Sequence, residues 1–342
     1  MGKDDPLDKT ISVGAEVTAT GVKANAKSRA VAAFDRLLGN VVDFVNIPIE
    51  RRNVEERTKI EGKRQLVEAV RDHALARMKT DPEFADRAVR AFLDSLIAKQ
   101  ENKDEVVRQA LEDLRRDPHS EGDAPELDPA FMNKLERHAE DASTEQLREK
   151  WGRVLAAEIR KPGTISPRAM RIVDELDPET AQLFEKLCAS RLENVVPIDL
   201  AGPLDYAAAI KLVGAGLLVE PAQVGQICPF SEMLAPNGTK VAFVGFGKRG
   251  FSIPRGGLQR SDNPSGGGVP FVNAPNGFPG MRVYLLTDEG YAVSRILPDE
   301  QQRAFEQYLV DLRTRAAPGQ ITVYRRDDVN SQWRAEQQAD VR

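Results

Sequence analysis

The chain has 342 residues, of which 41% are hydrophobic and 30% charged, with a formal net charge of −5. That length exceeds what one core usually serves, so more than one domain is expected, and the apolar fraction excludes bulk disorder. The negative charge removes any global electrostatic pull on nucleic acid, so such a contact needs a local basic patch.

Residues 1–25 are polar and small. They open Met-Gly-Lys-Asp-Asp-Pro, with acids and a proline where a signal peptide carries a basic start and an apolar run, and Pro6 opposes myristoylation. A cytoplasmic location is therefore the expectation. From 28 to 45, Val31, Phe34, Leu38, Val41, Val42 and Val45 recur every three or four residues and predict a helix that Pro48 ends. Little nearby could cover this face, so Phe34, Leu38, Val41 and Val45 are candidates for self-association. Residues 50–64 hold ten charges in fifteen, spaced as a solvated helix that continues to about residue 79.

Asp81-Pro82 is a cap followed by a proline at the first helical position. It opens a helix with Phe84, Val89, Phe92, Leu93, Leu96 and Ile97 inward. Asn102 with Glu105 is read as the cap of a further helix carrying Val106, Val107, Ala110, Leu111 and Leu114. Residues 117–128 contain five acids and two prolines and predict an exposed linker at a domain boundary. Asp128-Pro129 starts the next helix. Ser143 with Gln146 starts another, with Leu147, Trp151, Leu155 and Ile159 on one face and Pro162-Gly163 as its stop. Ser166-Pro167 and Asp177-Pro178 start two shorter ones.

After residue 194 the texture changes. Residues 204–213 predict a short helix, 214–220 a turn into a strand, and 240–246 and 281–286 two further strands around a Gly- and Pro-rich insert, 247–280. Thr287 caps a helix, residues 298–315 form a last one, 321–324 a closing strand, and 326–342 a polar tail. The expected organisation is a polar segment (1–25), a helical and self-associating region (26–116), the linker (117–128), a central helical domain (129–193) and a C-terminal domain (194–325). In fold class the chain is mainly α with a smaller α+β part. Its C-terminal succession of helix, Gly-Leu-Leu, strand, long loop and returning strand reads as winged-helix-like, with the insert as an enlarged wing.

Chemistry is sparse. Gly245-Phe-Gly247-Lys-Arg-Gly250 matches GxGxxG, but it runs into Phe251-Ser-Ile-Pro254 rather than a helix, so a glycine-rich hairpin is expected and not a dinucleotide site. The insert gathers Lys248, Arg249, Arg255 and Arg260 against Asp262, with Phe251, Phe271 and Phe278 between them. Such a loop could grip phosphates and stack bases weakly, without reading sequence. The helix before it offers base edges only Lys211. His73, His119 and His138 have no second ligand or nucleophile at a telling spacing, and His73 and His138 read as helix-surface residues. Cys188 and Cys228 read as small packing residues. No catalytic residue, cofactor or metal site, and no membrane span, is assigned.

One resemblance stands out. Gln146-x4-Trp151-x3-Leu155-Ala-x-Glu158-Ile159, then Pro162-Gly163-x-x-Ser166 and Leu176-x4-Ala181-x2-Phe184, resembles a bacterial family known as domain of unknown function 2806. Leu212-x3-Gly216-Leu217-Leu218, Leu286-Thr287-x2-Gly290 and Tyr308-Leu309 extend the resemblance to about residues 145–325. It implies no activity. The expected function is a non-enzymatic interaction or scaffold protein that forms homo-oligomers or binds a protein partner, in the setting of a phage-defence or mobile-element system. A weak nucleic-acid binder acting through the wing, and an enzyme with an unpatterned site, are the alternatives.

Overall fold

The computed structural model describes residues 23–38, 76–77, 79–122, 126–220, 226–255, 260–261, 271–315, 319–327 and 331–336. The chain divides into two compact units, Met1–Thr164 and Ile165–Arg342. The first is helical and the second carries all the described strands, so the mainly α class with a smaller strand-containing part holds.

In the first unit α1 is Ala24–Leu38, α2 Pro82–Arg116, α3 Pro129–Glu140 and α4 Glu145–Arg160. Asp81 caps α2, its carboxylate accepting from Phe84 N at 2.9 Å, and Asp128 caps α3 in the same manner. The N-cap of α4 is Thr144, one residue later than Ser143, and its hydroxyl accepts from Leu147 N. No helix starts at Asn102. α2 runs unbroken for 35 residues because neither glycine nor proline interrupts it, and the Asn102 side chain serves tertiary contacts instead of a cap. Its amide donates to Glu140 O at 2.8 Å and its oxygen accepts from the Arg148 guanidinium at 2.7 Å.

Residues 117–122, expected as an exposed linker, are bonded into this unit. Arg160 Nε donates to Asp117 O at 2.9 Å, Glu121 N donates to Arg160 O at 2.7 Å, and Ser120 is buried. Arg29 of α1, fully buried, donates to Ile159 O at 2.8 Å and to the carbonyls of Glu121 and Gly122 at 3.1 Å. One guanidinium thus satisfies carbonyls at the C-terminal end of α4 and in the segment beside it.

The second unit begins with α5 (Pro167–Glu175) and α6 (Pro178–Cys188), capped by Ser166 and Asp177 as the sequence predicts. β1 (Val195–Pro197), α7 (Ile198–Ala201) and α8 (Tyr206–Gly214) follow. The strand expected over 214–220 reduces to a single bridge, Leu218 to Leu286. Then come β2 (Gln226–Pro229), β3 (Ser231–Leu234), β4 (Lys240–Phe246), β5 (Arg249–Pro254), β6 (Arg260–Ser261), β7 (Phe271–Asn273), β8 (Pro279–Leu285), α9 (Asp288–Ser294), α10 (Gln301–Arg315), β9 (Thr322–Arg325) and β10 (Arg334–Ala335).

Two five-stranded sheets result. In one, β8 pairs antiparallel with β1, β2 and β7, and β6 joins β7 in parallel; the other has the order β10-β9-β5-β4-β3. The insert is therefore not a simple loop. Its first residues form a tight turn, with Gly247 at φ +56°, and then β5 returns along β4. Phe251 and Ile253 alternate inward and pack with Phe230, Phe271, Phe305 and Tyr308. The tail also contributes structure. β10 pairs with β9, and the Trp333 ring lies over Gly245, where a Cβ would meet it at 2.6 Å.

Candidate functional site

Among the described residues of the first unit, the exposed large apolar side chains lie on α2. Buried side chains of its second half, Lys103, Val106, Val107, Ala110, Leu111 and Leu114, recur at helical spacing. Stepping back seven residues at a time, about two turns, leads from Ala110 through Lys103 to Leu96 and Val89, and from Leu114 through Val107 and Gln100 to Leu93. The same apolar row thus continues into the first half. There Val89 is 50% exposed, Phe92 63%, Leu93 49% and Ile97 57%. The sequence reading placed these side chains inward, and the structure corrects it. Tertiary hydrogen bonds from α2 to α1 and α3 begin only at Lys99, Gln100 and Asn102, so the covering helices reach the second half alone among the described residues.

α1 differs. Phe34 is fully buried, as are Ala30 and Leu37, and Leu38 is half-buried, whereas Val41 and Val45 lie outside the described residues. Phe34 is spent inside its own unit and is not available to a second copy.

In the second unit α8 packs through one side, with Ala208, Ala209 and Val213 half-buried beside Leu212. Asp205 caps it, accepting from Ala208 N at 2.7 Å, and Leu212 is its one buried residue. Tyr206 is 81% exposed and Ile210 53%, and with Gly214 they form a row at four-residue spacing. Gly214 opens onto a cavity of about 450 Å³ between α5, α6 and α8, lined by Ile172, Leu176, Thr180, Ala215 and the charged Glu175, Asp177, Glu179 and Lys211. Lys211 Nζ donates to Glu179, which holds the ammonium pKa above its ordinary value. Asp177 accepts from the Thr180 hydroxyl at 2.7 Å and from its N–H, so its carboxyl lies below the usual carboxylate range.

The cations of the 247–280 insert are dispersed. Lys248 is exposed on the β4–β5 turn, and Arg249 lies 3.7 Å from Glu306 on α10. Arg255 lies 3.4 Å from Glu232 and 5.0 Å over the Phe278 ring. Arg260 is in β6, its side chain outside the description. Phe251 and Phe271 are fully buried, so the expected stacking platform reduces to Phe278, already under Arg255.

Sequence reasoning missed a polar cluster behind the turn. The Tyr291 hydroxyl donates to Glu193, which at φ +56° is a non-glycine residue with left-handed backbone. The φ of +56° at Gly247 favours glycine there, and the turn lies against the Glu193 carboxylate, which a Cβ at that position would push aside. Burial, reinforced by Glu193, pushes the Tyr291 phenol up, which keeps it protonated and suits it to fixing the turn.

Of the histidines, His138 stacks on the Trp151 ring at 4.1 Å instead of standing on a helix surface; His119 is exposed beside Asp117, and His73 lies outside the described residues. Burial pushes the Cys188 thiol up to about 12 and raises Cys228 too, in keeping with packing roles. Among the described residues no group of three His, Cys, Asp or Glu could hold a metal ion, and no helix is long and apolar enough to cross a membrane.

Residues 86–195 match the family described as Protein of unknown function (DUF2806). The resemblance seen in the sequence is borne out, although the match begins within α2 and ends at β1, farther toward the N-terminus than residues 145–325. No curated protein and no solved structure matches.

Proposed function

We propose that the protein is a non-enzymatic interaction protein that self-associates through the first half of α2. The observation that carries this reading is the exposed row of Val89, Phe92, Leu93 and Ile97, continuous with a row that the same helix buries farther on, as from Leu93 to Val107. Monomeric proteins rarely leave such a row in water. The charges beside it, Glu83, Asp86, Arg87, Arg90 and Asp94, are mixed in sign, which suits a second copy and gives no attraction to a polyanion. The surface proposed for self-association therefore moves from α1 to α2.

The pairing of β8 with β1, which precedes α8, and with β2, which follows it, supports a winged-helix-like reading in which the wing has grown into a second sheet. α8 lacks Arg, Asn and Gln, which favours a protein partner over base readout. The test is light scattering on the full chain at tens of micromolar. The parent should be a dimer or larger, and Phe92→Glu with Leu93→Glu should give a monomer that melts like the parent. A monomeric parent would refute the reading.

A further inference from the structure

We propose that the groove between α5, α6 and α8 receives a basic amphipathic helical segment of a partner protein, with apolar residues against the Tyr206–Ile210–Gly214 row and Lys or Arg against the acidic rim. This surface is distinct from the α2 row, and neither depends on the other.

Three observations converge. The first is shape and polarity. A cavity of about 450 Å³ with Ile172 and Leu176 in its wall opens beside a helix whose Tyr206 is 81% and Ile210 53% exposed. A helix in water turns its apolar face inward; α8 does so with Leu212 and the half-buried Ala208, Ala209 and Val213, yet holds a second apolar row, Tyr206 and Ile210, outward, as in a helix that is itself half of an interface.

The second is glycine. Gly214 ends the exposed row, and a Cβ built there would meet nothing within 4 Å. Its φ is not in the left-handed region, so backbone conformation does not require glycine at this position. The missing side chain lets an incoming helix approach the backbone of α8 closely.

The third is charge. Glu175, Asp177 and Glu179 line the groove against Lys211 alone. Lys211 is engaged by Glu179, and among the described residues no cationic side chain lies within ion-pair distance of Glu175 or Asp177. The rim is thus net negative. It repels nucleic acid and acidic peptides and favours a cation, and the acids do not converge as a metal site. An exposed apolar row and the groove beside it, lined by Ile172, Leu176 and net-negative side chains, together specify a ligand that is apolar on one stripe and basic beside it.

The test is fluorescence anisotropy with the full chain and a fluorescein-labelled peptide of about 18 residues, long enough to form a helix on the surface. Its leucines sit at three- and four-residue spacing, and lysines fill the other positions. A matched peptide has Glu in place of each Lys. The Leu/Lys peptide should bind at least about tenfold more tightly than the Leu/Glu peptide, and binding should weaken as salt rises. Gly214→Leu fills the groove without changing charge and should weaken binding at least about tenfold while the protein melts like the parent. Should it melt lower, Glu175→Lys at its exposed position gives the same reading through charge. Failure of the Leu/Lys peptide to bind, or binding that persists unchanged in Gly214→Leu and Glu175→Lys, overturns the proposal, the latter as adventitious charge attraction. A change in oligomeric mass on Ile210→Glu also overturns it, because the occupant is then a second copy. Phe92→Glu should leave peptide binding unchanged, which separates this result from the self-association reading.

Discussion

Gly152→Ala adds one methyl group at the crossing of α4 and α2 and sets two effects against each other. In an isolated helix the change helps, since alanine exceeds glycine by about 0.8–1.0 kcal/mol in helix propensity. Here the new Cβ would lie 2.5 Å from Gln109 Cβ, 3.0 Å from Ala110 N and 3.0 Å from Val106 O. None of these atoms is the end of a flexible side chain, so relief requires the two helices to separate. Overpacking of this kind costs about 1–3 kcal/mol. With a contact as close as 2.5 Å the upper half of that range applies, and the net effect is a loss of about 1–2 kcal/mol. For a unit of this size that lowers the melting temperature by roughly 2–8 °C. Gly214→Ala is the control of opposite sign, because its Cβ meets open space and the substitution should be neutral or slightly stabilising. Differential scanning calorimetry of the three proteins decides the matter. If Gly152→Ala melts at or above the parent, α4 does not approach α2 through this glycine and the packing argument fails.

Trp151→Ala should cost about 3–5 kcal/mol, since the ring is 2% exposed and stacked on His138, and the melting temperature should fall before any association property changes. A variant that melts like the parent but loses self-association would place Trp151 in an interface. Acid should weaken the first unit through Glu105. Its carboxyl is held below the ordinary 4.5, first by the Arg108 guanidinium. A lowered carboxylate pKa adds stability that is complete above the unfolded value and is lost as pH falls through the folded one. The melting temperature should therefore decline below pH 4.5, and Glu105→Gln should flatten the decline. A variant whose acid profile matches the parent's would show that the pair contributes nothing.

Helix starts were the most legible feature of the sequence because they are local. Asp81, Asp128, Ser166, Asp177 and Thr287 each precede a helix and accept from an N–H two or three residues on. Asn102 carries the same signature and caps nothing, because its partners, Glu140 and Arg148, are 38 and 46 residues away. Periodicity showed which side chains of α2 share a face but not whether that face is covered, since covering depends on how far α1 and α3 reach. The insert was read as a loop from its glycines and prolines. The hairpin at Gly245–Gly250 is a local signal and is present as β4 and β5, whereas the pairing of β5 with β9 is a contact that no local pattern encodes.

The same distinction between local composition and long-range pairing decides what the 247–280 insert can bind. Counted along the chain, Lys248, Arg249, Arg255 and Arg260 make a basic stretch. In space, Arg249 faces Glu306 and Arg255 faces Glu232, a carboxylate that Lys240 already holds low at 2.9 Å. A phosphate arriving there must displace an existing carboxylate partner or accept its repulsion, so each contact yields less than the release of counterions from an unpaired cation would provide. The apolar rows of α2 and α8 carry no such internal competition. Water is displaced from Phe92, Leu93, Tyr206 and Ile210 without breaking any ion pair, and burying a fully exposed side chain of this size is worth about 1.5–3 kcal/mol. With these at about half to four-fifths exposed, the apolar rows outweigh the basic insert as the place where a macromolecular partner gains free energy.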